Sequence, residues 1–154
     1  TVFLAAGVVS LFEETISKWV LLAVYMPIVA GMGGNAGTQA MAVSVRGIAL
    51  KEIDLASGKR TIMNEMFGGA ANGLIVGVIV AVIATLFNQD AMLGLVLGIA
   101  LVVNLIIAGL FGASIPLVLK RLGKDPASSA SIFITAATDV CGFFVFLGLA
   151  SMVM

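Results

Sequence analysis

The sequence predicts an all-α fold, a polytopic bundle of membrane helices, and three observations carry that reading. Hydrophobic residues make up 61% of the 154 and charged residues 10%, where a soluble domain holds about 45–50% apolar and about 25% charged residues. The charges fall into short clusters separated by uncharged stretches that reach the roughly 20 residues a helix needs to span a bilayer. Glycines recur at helical spacing in Gly33-x-x-x-Gly37, Gly69-x-x-x-Gly73-x-x-x-Gly77 and Gly94-x-x-x-Gly98, which lets helices approach closely.

Five crossings follow in order, the first truncated. Residues 1–12 are apolar but too short to span, so they read as the remainder of a helix and the chain as a fragment of a longer protein. Four complete helices are expected over 19–45, 61–87, 92–119 and 128–153, giving one transmembrane domain over 1–154. Between them lie Glu13, Glu14 and Lys18; the cluster from Arg46 to Glu65; Asp90; and Lys120 to Asp125. Basic residues mark the cytoplasmic side. Segment 46–60 holds four, 120–126 three, 13–18 one and 88–91 none. The first two segments are therefore expected in the cytoplasm and Met154 outside.

Composition narrows the chemistry. Without histidine, and with Cys141 as its one cysteine, the chain cannot build a histidine-ligated haem, a zinc site of the usual ligands or a histidine proton relay. Oxygen ligands remain, and oxygen suits hard cations such as magnesium and calcium. No nucleophile–base pair, phosphate loop or cofactor motif suggests an enzyme. Nor does any basic patch suggest nucleic acid.

Asp139 stands apart from every charge cluster, about halfway along the last helix. An aspartate at a helix centre costs roughly 2.5–3.5 kcal/mol to insert and almost always faces a cavity, a partner or an ion path. Thr135, Thr138 and Gly142 add polarity and space around it. The plainer alternative is a protonated carboxyl that glues helices together. The second feature runs from Pro27 through Gly31, Gly33, Gly34, Asn35, Gly37 and Thr38 to Gln39. Proline and closely spaced glycines weaken a helix, so a kinked or opened segment is expected, with Asn35, Thr38 and Gln39 supplying side-chain oxygens. A packing kink with incidental amides is the alternative.

Glu65, Asn72 and Asn104 carry weaker signals. Glu65 lies near a cytoplasmic helix end, and the two asparagines read as interhelical hydrogen-bond partners. Glu13 and Glu14 read as a solvated turn, Trp19 as an interfacial anchor and Tyr25 as a packing residue.

These residues resemble the MgtE family of magnesium channels and transporters. The resemblance rests on the Pro-x-x-x-Gly-x-Gly-Gly-Asn-x-Gly-x-Gln pattern of Pro27 to Gln39, on Asn104 and Gly109 to Pro126, and on Thr138-Asp139-Val-x-Gly142. It implies a homodimer whose pore runs along the two-fold axis, lined by the second and fifth crossings, with Asp139 as the pore carboxylate. The Gly-Gly-Asn segment maps to Gly33, Gly34 and Asn35. The expected metal site is then Asp139, Asn35, Thr135, Thr138, Gly34 and Thr38, and the expected cargo is Mg2+. Magnesium sheds water reluctantly and needs only one or two carboxylates, so sparse charge favours it over calcium. The setting implied is a bacterial or archaeal cell membrane. A cytoplasmic regulatory region of the parent polypeptide, present in bacterial relatives, is a further expected partner. A proton- or sodium-coupled transporter acting through Asp139 is the alternative, and a structural anchor for a cytoplasmic sensor is a third reading.

Overall fold

The computed structural model describes residues 2–54, 57–127 and 130–154. The described residues form six helices: α1 (Val2–Leu11), α2 (Glu13–Lys18), α3 (Leu21–Ala49), α4 (Gly58–Asn88), α5 (Ala91–Arg121) and α6 (Ala130–Val153). The four long helices overlap the four expected; α3 starts two residues later and ends four later, while α4 and α5 extend by one to three residues at each end. The first two residues of the 128–153 segment lie outside the described set. Glu13 and Glu14 correct one expectation, because they open a short helix instead of a turn. Lys18 reaches back one turn to Glu14 at 2.7 Å, a favourable i,i+4 pair, and its hydrogen bond and charge hold the exposed Glu14 carboxyl below the usual carboxylate range.

α4, α5 and α6 are long and apolar enough to cross a membrane. At about 1.5 Å of rise per residue, the 31 residues of α4 and of α5 outreach a hydrocarbon core of about 30 Å. α3 has the length, 29 residues, but its amides, threonine and glycines dilute its apolar content.

α5 occupies the centre. It packs on α3, α4 and α6, while α4 scarcely touches α3 and α1 lies along α6. Glycines make the α4–α5 seam. Gly69 faces Leu105, Gly73 faces Val102 and Gly77 faces Gly98, so the two helices run antiparallel. A methyl on Gly69 would stand 2.2 Å from the Leu105 carbonyl oxygen, and one on Gly109 would stand 2.3 Å from that of Glu65. The three glycine spacings in the sequence therefore mark real helix contacts, as small residues do in membranes.

The helix ends explain the turns. Asp90 caps α5 by accepting from Met92 N at 2.9 Å and Leu93 N at 3.1 Å, after Gln89 turns the chain with φ 55°. At the other end of α5, Lys124 N donates to the Leu119 carbonyl and Gly123 N to that of Lys120. That pair of bonds is a Schellman cap, and Gly123 holds its left-handed position with φ 68°. Lys120 Nζ donates to the Ile53 carbonyl at 3.1 Å, tying the α3–α4 loop to this end.

The apolar core gathers Leu22, Val29, Leu93, Leu97, Leu101, Phe146 and Leu147, toward the α4–α5 turn. Among the described residues the buried polar side chains are Ser44, Asn104 and Thr138: Asn104 sits near the middle of the bundle, and Ser44 and Thr138 lie in the half nearer the basic loops. That polar half positions the site.

Candidate functional site on α3 and α6

The segment from Pro27 to Gln39 does not open. α3 is helical from Leu21 to Ala49 with Pro27 inside it, which overturns the opened segment that was one of the two expected forms. Packing supplies the physical reason. Gly33 and Gly37 are buried against α5 and α6: a methyl on Gly33 would meet Asn104 Nδ2, and one on Gly37 would meet Ile134 Cγ2, each at 2.4 Å. These glycines exist for close approach, and the contacts they permit outweigh their low helix propensity of about 1 kcal/mol each. Gly31 and Gly34 are different, since a methyl on either would meet nothing within 4 Å. Two glycine stripes thus share one helix, one closing the bundle and the other leaving a low, open surface.

Asn104 is the wedge between α3 and α6. Its Nδ2 donates to the Val29 carbonyl at 2.9 Å, and a methyl on Gly142 would meet the same amide at 2.6 Å. The side chain is fully buried, and its Oδ1 has no partner among the described residues. The expected interhelical bond is present here. Asn72, which looks similar in sequence, is exposed on α4 and makes no hydrogen bond among the described residues. Tyr25 is tied to α4 instead, accepting from Asn88 Nδ2.

Gly37 faces Ile134 and Thr138, whereas Gly33 shares Asn104 with Gly142, so α6 runs antiparallel to α3. The Thr138 methyl at Gly37 sets Asp139 level with the Gly34–Thr38 turn of α3. Asp139 is half-buried and has no ion pair or hydrogen bond among the described residues. Thr135, one turn before it, is exposed, as are Asn35 and Thr38; Gly34 is partly exposed. Thr38 Oγ1 donates to the Gly34 carbonyl at 2.8 Å and keeps its oxygen lone pairs outward. Thr138 differs from the others. It is fully buried, its hydroxyl donates to the Ile134 and Thr135 carbonyls at 3.1 Å, and it sits behind the surface that Asp139 borders.

The chain matches, over residues 26–149, the family model MgtE, described as divalent cation transporter. The chain belongs to the MgtE family. It is 33% identical over 149 residues to a protein of Enterococcus faecalis named magnesium transporter MgtE, covering 97% of this chain and 33% of that one. A Bacillus subtilis protein of the same name is 32% identical over 148 residues, 96% of this chain and 33% of its own length. A third, from Thermus thermophilus, is 32% identical over 143 residues, 93% of this chain and 32% of its own. The chain spans about a third of the length of these curated relatives. Family membership and the three apolar helices make it an integral membrane protein.

The MgtE-like residues now have structural roles. Gly33, Asn104 and Gly142 form the wedge, and Lys120 to Gly123 form the Schellman cap. Asp125 caps the turn after Pro126 by accepting from Ala127 N at 3.1 Å. Thr138 seats α6 on α3. The convergence of Gln39, Glu65 and Asn72 in one cleft was not legible in the sequence, where they lie on two separate helices with no local signal linking them.

Proposed function

We propose that this chain is the membrane domain of a magnesium transporter that passes hydrated Mg2+ between two copies of itself. The observation that carries this reading is the unpaired, half-buried Asp139 at the level of the open Gly31–Gly34–Thr38 stripe of α3. Among the described residues no three acidic, cysteine or histidine side chains come together to hold a metal ion. In this reading one copy offers the carboxylate of Asp139, and a two-fold axis beside α3 and α6 supplies a second, matching the charge of one divalent ion. Asn35, Thr38 and Thr135 flank it with oxygens, the low Gly34 surface leaves room for retained waters, and Thr138 holds α6 in place from behind. Magnesium dehydrates reluctantly and suits a site of one or two carboxylates with water-mediated contacts. The curated relatives are named as magnesium transporters.

In this reading α3 is a fourth full crossing, shielded by α5 and α6, and α1 belongs to a fifth. The loops at 46–60 and 120–126 face the cytoplasm, Met154 lies outside a bacterial or archaeal membrane, and a cytoplasmic region of the parent polypeptide regulates the pore. The test is flux in liposomes. Asp139→Asn keeps the side chain's shape but removes charge, so a variant that still purifies as a dimer should lose magnesium affinity and discrimination against sodium and potassium. Unchanged magnesium flux and selectivity in that dimer would make Asp139 a packing residue.

A further inference from the structure

A second polar cleft lies on the other flank of α3. Its volume is about 190 Å3, and its polar lining comes from Gln39 of α3 with Glu65 and Asn72 of α4, over a floor of Leu105 and Gly109 from α5. In helical phase, residues 36, 39, 40 and 43 of α3 point away from the Gly31–Gly34–Thr38 stripe, so this cleft and the Asp139 surface are separate.

Glu65 lies seven residues into α4, about 10 Å along its axis from Gly58, and Asn72 lies two turns deeper. The cleft thus reaches from the basic-loop end of the bundle toward its middle. Glu65 is half-buried and has no ion pair among the described residues. Lys59 is turned elsewhere, lining a different cleft with Arg121 and Leu117. A carboxylate held in a membrane helix without a basic partner calls for a cation. The backbone beside it is fixed, because Gly109 seats directly on the Glu65 carbonyl.

We propose that Glu65, Gln39 and Asn72 form a site for a monovalent metal cation of the sodium class. One carboxylate balances one positive charge, and among the described residues no second acid lines the cleft to balance a divalent ion. Each amide contributes a neutral carbonyl oxygen, giving with the carboxylate four protein oxygens. The volume far exceeds the roughly 30 Å3 share of one water, so waters complete the shell. A cation there joins α3 to α4, two helices that otherwise scarcely touch.

Binding to the folded state raises stability, so melting of the purified protein in detergent reads the site without any transport assay. Sodium chloride should raise the melting temperature saturably at fixed pH, with choline chloride holding ionic strength constant. Glu65→Gln should abolish the rise, and Asp139→Asn should keep it. Gln39→Leu and Asn72→Leu should each raise the sodium midpoint by about tenfold, and they decide the matter should Glu65→Gln fail to fold. An undiminished sodium response in Glu65→Gln, or unmoved midpoints in both amide variants, overturns the site. So does competition in which magnesium occupies it more tightly than sodium, or a rise produced wholly by lowering pH without sodium.

Discussion

Replacing Gly69 by alanine, beside the same replacement at Gly68, isolates the close contact between α4 and α5. A methyl at residue 69 would lie 2.2 Å from the Leu105 carbonyl oxygen and 2.9 Å from its carbon, whereas a methyl at 68 would meet nothing within 4 Å. Real contacts of this kind begin near 3.0 Å, so α4 must withdraw by about 0.8 Å. A gap of 0.5–1 Å forfeits a quarter to a half of each dispersion contact along the seam, and overpacking in general costs about 1–3 kcal/mol. Alanine favours the helix by up to about 1 kcal/mol at either position. That gain cancels in the comparison, so Gly69→Ala should be less stable than Gly68→Ala by about 1–3 kcal/mol. Unfolding by sodium dodecyl sulfate in mixed micelles measures the difference, and thermal melts should separate the pair by several degrees. Equal stability of the two variants would refute the packing described here, because only the direction of one methyl distinguishes them.

Two further outcomes test other contacts. Asn104→Leu should cost no more than about 1 kcal/mol, since membrane hydrogen bonds average about 0.6 kcal/mol and the change also removes an orphaned acceptor, while Gly142→Ala should cost more by driving a methyl into the buried amide; the reverse ranking in the same assay would make Asn104 an adhesive instead of a wedge. Cysteines at Ser57 and Lys124, in a Cys141→Ser background, should react with an impermeant reagent only from the cytoplasmic face, and labelling of either from outside would invert the proposed orientation.

Much of the bundle was legible because its signals are local. Charge clusters bounded the long helices, and the Gly69–Gly73–Gly77 and Gly94–Gly98 spacings announced the close packing found between α4 and α5. What failed was the reading of glycine as weakness. Gly33 and Gly37 lower helix propensity as expected, but the neighbouring helices that make them useful are far away in sequence, so α3 stays continuous where composition argued for a break. The same distance hid the difference between Asn72 and Asn104. Both are lone amides in apolar helices, and only the central position of α5 makes one a buried wedge and leaves the other in an open cleft with Glu65.

The wedge has a consequence for how this sequence can change over generations. Positions 33, 104 and 142 lie on three different helices yet share one volume, filled by one amide and bordered by two residues without side chains. Enlarging either glycine is tolerable once residue 104 has shrunk, and a bulkier residue 104 is tolerable only while both glycines remain. The three positions should therefore change together. Substitutions that are harmful singly should occur in viable sequences as compensated sets, and a library randomised at all three positions should return far more functional combinations than the single variants would foretell.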